Sequence, residues 1–319
     1  MATIAAAAAP SDAWFCGAFD SEGCICIQSS HPVNEGRPLT DAGITLTVKQ
    51  CDNGTITALF CARFGGSTRA HATTAYNGRP EWVWRLSARN VVLVAARVLL
   101  AGSRSPWKRL FLKLALQISV LPPGLMRAAT ASHFRRLKAL EHQGRPVEES
   151  DDDDLVDPGR LPSATLPWLA GFNDGDGSCV CMSGGNVRLD VTQAEPHALC
   201  VLQPFVDFFG VGHIWWYSPK NPNWMRRARW QLDRQADVVA VARLLLPESH
   251  HPDRRAHLAL VIEMLTVPPR PLSETTAATA AETPGERRHN RVLHRRAVWA
   301  KLRQAKNLIR ARSGLAPRS

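Results

Sequence analysis

Two acidic clusters occupy matching places in the chain: Asp20 and Glu22 within Phe19-Asp-Ser-Glu-Gly23, and Asp174 and Asp176 within Asn173-Asp-Gly-Asp-Gly177. Each follows a stretch of helical character, so each puts carboxylates at a helix C-terminus. The helix macrodipole is negative there and disfavours anions. A penalty accepted twice at equivalent positions points to chemistry. Each stretch also holds a mid-helix glycine, Gly17 or Gly171, which costs about 1 kcal/mol relative to Ala and permits close approach of a second helix. If the two helices pack through these glycines, their C-termini lie side by side and Glu22 meets Asp176. Two adjacent carboxylates either share a proton or bind a cation. Oxygen ligands beside a phosphate substrate suit Mg²⁺. Two or more such ions at the helix ends would stabilise both the attacking and the leaving oxygen of phosphodiester hydrolysis.

The elements that must position these groups also repeat. Trp14, Gly17, Asp20, Glu22 and Gly23 match Trp168, Gly171, Asp174, Asp176 and Gly177 at an offset of 154. Leu46-Thr-Val-Lys-Gln50 matches Leu189-Asp-Val-Thr-Gln193. Trp84-Arg-Leu86 and Ser105-Pro-Trp-Lys-Arg109 match Trp230-Gln-Leu232 and His251-Pro-Asp-Arg-Arg255. Four matches in the same order indicate a duplicated unit. Each copy predicts a short helix (12–22; 165–176), two strands (24–30 and 44–50; 178–182 and 187–193) and a helix (55–64; 196–209). Two more strands (68–76 and 82–86; 213–217 and 227–232) and two helices (90–100 and 106–121; 236–245 and 252–265) complete it. The fold class is α+β: two pseudo-symmetric αββαββα units, each a four-stranded antiparallel sheet with helices on one face. The units span residues 1–140 and 165–267, joined by an acidic linker at 141–164 and followed by a disordered stretch and a basic helical tail at 268–319.

Alternation along the strands separates the two faces of each sheet. Trp82, Trp84 and Leu86 share one parity, as do Trp230 and Leu232; the opposite parity carries Arg85, Arg227, Arg229 and Gln231. Thr45, Thr47, Arg188 and Asp190 also face away from the helices. Such a polar face is what an ordinary solvated sheet shows, and also what a groove-reading sheet needs.

Composition restricts the partners. The chain has 319 residues, 45% hydrophobic and 21% charged, with net charge +11. Residues 270–319 carry 12 Lys/Arg against 3 acids, and residues 148–157 carry seven acids and no base, so the remainder is itself basic. A basic folded portion favours a polyanion as partner. No apolar run approaches 18 residues, so no membrane span is expected. The first ten residues lack the charged start of a secretory signal. Eight cysteines without a CxxC pair read as reduced core residues of an intracellular protein, with no compartment specified.

Leu169-Ala-Gly-Phe-Asn-Asp-Gly-Asp-Gly177 resembles the signature of LAGLIDADG homing endonucleases, and Phe15-Cys-Gly-Ala-Phe-Asp-Ser-Glu-Gly23 resembles a divergent second copy. The likeness covers residues 12–267. It implies a single-chain, monomeric pseudo-dimer whose two sheets form a saddle on double-stranded DNA. It implies a Mg²⁺-dependent endodeoxyribonuclease that makes a staggered cut with 3′ overhangs and serves intron mobility. The last acid of each motif, Glu22 and Asp176, would bind the metal, and Gln50, Gln193, Lys108 and Arg254 would organise water. Arg and Gln side chains on strands read guanine and adenine edges in the major groove. The candidates are Gln28, Ser30, Thr45, Thr47, Arg69, Arg85, Arg188, Asp190, Arg227, Arg229 and Gln231. Two other functions fit the same likeness: an intron maturase that binds RNA, and a cleavage-inactive DNA-binding relative. The presence of both carboxylates favours the nuclease.

Overall fold

Ser11 and Thr165 start the two motif helices. Their hydroxyls accept from the Trp14 and Trp168 amides at 3.3 and 3.4 Å, satisfying donors that the first helical turn leaves unpaired. The helices are α1 (Asp12–Glu22) and α6 (Leu166–Asp176). The computed structural model describes residues 9–28, 42–51, 54–71, 80–144, 161–182, 186–196, 198–218, 225–266 and 300. The acidic run at 148–154, residue Ser30 and the basic tail lie outside the described residues.

After α1 come β1 (Gly23–Gln28), β2 (Gly43–Cys51), α2 (Thr55–Phe64), β3 (Ser67–His71), β4 (Glu81–Leu86), α3 (Arg89–Gly102) and α4 (Pro106–Val120). A further helix, α5 (Leu125–His142), precedes the second unit. There α6 is followed by β5 (Gly177–Cys181), β6 (Val187–Ala194), α7 (Ala198–Phe209), β7 (His213–Tyr217), β8 (Arg227–Leu232), α8 (Gln235–Glu248) and α9 (Pro252–Thr266). The sheets have the same antiparallel order, β1-β2-β4-β3 and β5-β6-β8-β7. Among the described residues, and apart from α5, which the repeat does not contain, the elements are those that the sequence predicts; the predicted ends of the first and third strands, 29–30 and 72–76, lie outside the described residues. Among the described residues, no helix is long and apolar enough to cross a membrane.

The large apolar strand residues follow parity. Trp84 and Trp230 are fully buried under α2 and α7, and each indole N–H donates to a backbone carbonyl, Gly65 at 2.8 Å and Val211 at 3.3 Å. Phe60 and Phe205 pack against them in tilted pairs, with ring centroids 5.1 and 5.0 Å away, so each unit has its own aromatic cluster. The cysteines depart from the expected pattern. All eight are free, but only Cys16 and Cys179 are buried, and Cys26 and Cys51 are exposed. Cys26 lies on the polar face, where register pairs it with Thr45.

The glycines closing the motif helices also act differently from the usual left-handed cap. Gly23 and Gly177 have φ of −76° and −68°, values open to any residue. Their role is space: a Cβ at either would overlap the Phe19 ring or the Asn173 side chain.

Candidate active site

The two motif helices pack directly on each other. A Cβ on Gly17 would run into the Trp168 carbonyl and stand 2.9 Å from the Phe172 amide; one on Gly171 would run into the Trp14 carbonyl and stand 3.0 Å from the Ala18 amide. Only glycine permits this approach. Further along the interface, a Cβ on Gly175 would overlap the Ser21 hydroxyl and come 3.0 Å from the Glu22 Cγ. The ends of the two helices therefore converge, as the mid-helix glycines imply.

Of the four motif acids, two are structural. The Trp14 indole donates across the interface to Asp174 at 3.1 Å, and the Trp168 indole donates to Asp20 at 3.2 Å. Asp20 also accepts from the Ser103 hydroxyl and from the Arg104 amide at 2.6 Å. Asp174 accepts from Ser249 at 2.5 Å and from the His250 and His251 amides at 2.7 and 3.2 Å. Each buried carboxylate thus ties its motif helix to the partner unit and to the turn before α4 or α9 of its own unit. Burial raises the pKa of Asp174 to about 6 despite these donors. Ser103 and Ser249 escaped the sequence reading. Both precede the matched basic segments at the same offset, which was the available signal. Asp174→Ala would strand four donors, one across the interface and three in the turn before α9. At about 1–3 kcal/mol for each buried group left unpaired, thermal denaturation is expected to fall by 10 °C or more, with cleavage lost at temperatures where the wild type is active.

Glu22 and Asp176 take no part in these tethers and lie beside each other at the helix ends. Burial, reinforced by the negative charge of Asp176, lifts the Glu22 pKa to about 7. Burial lifts Asp176 to about 6 against the opposing pull of Lys108, the Gln193 amide and Arg254. The cations bind the helix ends themselves. Lys108 donates to the Gly23 carbonyl, and its ammonium lies 5.4 Å from the Phe19 ring centroid. Arg254 reaches the Asp174 and Gly175 carbonyls at 3.5 and 3.3 Å. Positive charge at a helix C-terminus is favourable, so these residues offset part of the penalty imposed by the acids. Burial lowers the Lys108 pKa.

The two glutamines are not equivalent. Gln193 donates its amide to Asp176. Gln50 is buried, and its carbonyl accepts from the Ile56 amide at 2.9 Å, capping the start of α2. The structure thus joins Gln193, and not Gln50, to the carboxylate pair by a hydrogen bond. Gln193→Ala is expected to lower the cleavage rate by about 10–100-fold with little change in melting temperature, the loss typical of a supporting group beside a metal ligand. Gln50→Ala is expected to lower the melting temperature and leave single-turnover cleavage by the folded protein nearly unchanged.

Among the described residues, no group of three or more His, Cys, Asp or Glu surrounds a point where an ion would sit. The donor set is two carboxylates at adjacent helix ends. It fits a hard divalent cation that completes its shell with water and substrate phosphate oxygens.

No family model and no curated protein matches the chain. Solved structures do. A crystal structure of the LAGLIDADG homing endonuclease I-GzeII in complex with its DNA target is 16% identical over 80% of this chain and 90% of that one, with a TM-score of 0.56. The meganuclease I-SmaMI bound to uncleaveable DNA is 13% identical over 92% of this chain and 97% of that one, with a TM-score of 0.56. I-SmaMI bound to cleaved DNA is 14% identical over 81% and 90%, with a TM-score of 0.52. The chain has the two-unit LAGLIDADG homing endonuclease fold. A further I-SmaMI structure, at a TM-score of 0.50, holds an uncleaved DNA target in the presence of calcium ions.

In this LAGLIDADG fold the strand register decides which side chains each sheet presents away from its helices. Gln28, Thr45, Thr47, Arg69 and Arg85 share the outer parity of the first sheet. Arg188, Asp190, Arg227, Arg229 and Gln231 share that of the second. Two are not free for base contact. Thr45 is 1% exposed, with its hydroxyl unpartnered, and Asp190 is buried and holds Arg188 at 3.0 Å. Parity identifies the face of a side chain but not what lies over it, so both readings fail on burial. The same face carries residues absent from the sequence-based candidates: Lys49, paired with Glu81 at 3.5 Å, and the β7 row His213, Trp215 and Tyr217.

Proposed function

We propose that the chain is a site-specific endonuclease of double-stranded DNA, acting as a monomer whose two outer sheet faces form a saddle along the major groove. The observation that carries this reading is the meeting of Glu22 with Asp176 at the ends of two helices locked together through Gly17 and Gly171. The DNA-bound state of the solved proteins that share the fold supports it.

Glu22 and Asp176 would hold Mg²⁺, which when bound supplies a Lewis acid for the scissile phosphate and acidifies water. Two or more ions and a staggered cut with 3′ overhangs belong to the same proposal, as does a role in intron mobility. The chain's own residues do the rest. The Gln193 amide orients the Asp176 carboxylate. Lys108 and Arg254 hold both helix ends and keep positive charge beside them. Arg69, Arg85, Arg227 and Arg229 face outward on the sheets, where they can hydrogen-bond guanine edges or neutralise phosphates.

The test is cleavage of a plasmid library carrying a randomised insert, with Mg²⁺, by the full chain and by its Glu22→Gln/Asp176→Asn variant. Linearisation at a recoverable sequence, absent in the variant, supports the proposal. Tight sequence-specific binding without cutting would identify a cleavage-inactive relative. Selective binding of structured RNA, with neither result on DNA, would favour the maturase.

A further inference from the structure

The outer row of β7 is the most aromatic stretch of either reading face. Trp215 is 57% exposed, so its ring contributes little to the core. His213 stands edge-on to it at 5.1 Å and 84°. Across the strand pair, Trp215 faces Arg229 and Tyr217 faces Arg227. The Arg229 guanidinium lies 5.2 Å from the Tyr217 ring centroid, and its Nε donates to the Thr192 hydroxyl at 3.3 Å. The row is therefore pre-positioned at both ends and flanked by charge complementary to a nucleic-acid backbone.

The equivalent row of the first unit is different. Superposing Trp84 on Trp230 makes Ser67, Arg69 and His71 the counterparts of His213, Trp215 and Tyr217. Arg69 faces Val83 where Trp215 faces Arg229. The apolar and cationic members of the pair have changed places. Arginine reads guanine through two acceptors; an indole carries a single N–H donor, so its contact with a base edge is mainly apolar. In the major groove the apolar feature peculiar to one base is the C5-methyl of thymine.

We infer that His213, Trp215 and Tyr217 form a subsite for the C5-methyl groups of thymine, read by the second unit away from the cleavage centre. The sheet order supports the last clause, because β7 is the edge strand opposite β5, and β5 begins directly after Asp176. The inference rests on the proposed DNA-binding function and assigns it an asymmetry: thymine in the outer part of one half-site and guanine in the other.

The experiment selects bound duplexes from a randomised DNA library with the full chain and with its Trp215→Ala and Trp215→Phe variants. The expected result is thymine enrichment at outer positions of one half-site, lost in Trp215→Ala, retained in Trp215→Phe, with the remaining positions unchanged. Replacing those thymines by deoxyuridine, which lacks only the methyl, should weaken wild-type binding about fivefold to tenfold, within the range of a single altered base contact. The same replacement should leave Trp215→Ala binding unchanged. Selected sites without thymine there, or equal affinity for deoxyuridine, would overturn the subsite and leave the nuclease reading intact. Failure to select any duplex, with the full chain instead binding structured RNA selectively, would overturn both.

Discussion

Glu22→Gln and Asp176→Asn are each expected to reduce DNA cleavage by at least about 10³-fold, the scale of losing one main electrostatic stabiliser of a transition state, while target affinity in the absence of divalent ions changes little. The same substitutions are expected to make the protein more stable at alkaline pH. Both carboxyl pKa values are raised in the folded state, to about 7 and about 6. The folded protein therefore binds more protons than the unfolded chain between about pH 4 and pH 7, and stability falls as pH rises through that window. A neutral amide removes this loss. For Glu22 a shift of this size corresponds to about 3 kcal/mol. The melting temperature of Glu22→Gln should exceed that of the wild type at pH 8, and the gain should vanish near pH 4.5. Divalent cation should close the gap at pH 8 by stabilising only the protein that retains its carboxylates, since a ligand of the folded state raises its stability by mass action. Thermal melts across pH, with and without Mg²⁺, check all three outcomes. A gain in stability independent of pH would sink this explanation.

Gly171→Ala is expected to abolish efficient cleavage without touching a chemical group. The added methyl meets the Trp14 carbonyl and the Ala18 amide, backbone atoms that cannot rotate away as a side-chain tip can. The helices must separate, and the indole–carboxylate bonds that cross the interface at 3.1 and 3.2 Å lengthen with them. Overpacking of this kind costs about 1–3 kcal/mol, which for a protein of this size lowers the melting temperature by roughly 3–10 °C. The effect on catalysis is larger, because Glu22 and Asp176 sit at the ends of the displaced helices and a misplacement of about 1 Å can cost 10²-fold in rate. Single-turnover cleavage well below the melting temperature separates the two effects. Gly17→Ala should behave in the same way, since its methyl meets the Trp168 carbonyl. A variant that melts early but cuts at the wild-type rate would show that the interface carries stability alone.

Much of this was written in the chain itself. Duplication supplied the two αββαββα units, because each copy had to preserve the spacing of its glycines, tryptophans and acids to fold in the same way. Strand parity placed Arg85, Arg227 and Gln231 on the outer faces, since alternation is a local property of the backbone. The mid-helix glycines implied the close pair and so brought Glu22 to Asp176. Other features depended on atoms distant in sequence. The partners of Asp20 and Asp174 are a tryptophan from the opposite unit and a serine just before α4 or α9, and a shared motif letter cannot separate these tethering acids from Glu22 and Asp176, the pair proposed to hold the metal. Gln50 and Gln193 are matched in sequence, yet one caps α2 and the other holds Asp176, because the neighbouring elements compete differently for the same amide. Thr45 and Asp190 obey parity but are buried. Residue type and spacing determined what chemistry the chain could perform; tertiary packing decided which copy of each group is free to perform it, because burial and hydrogen-bond saturation are properties of the assembled neighbourhood.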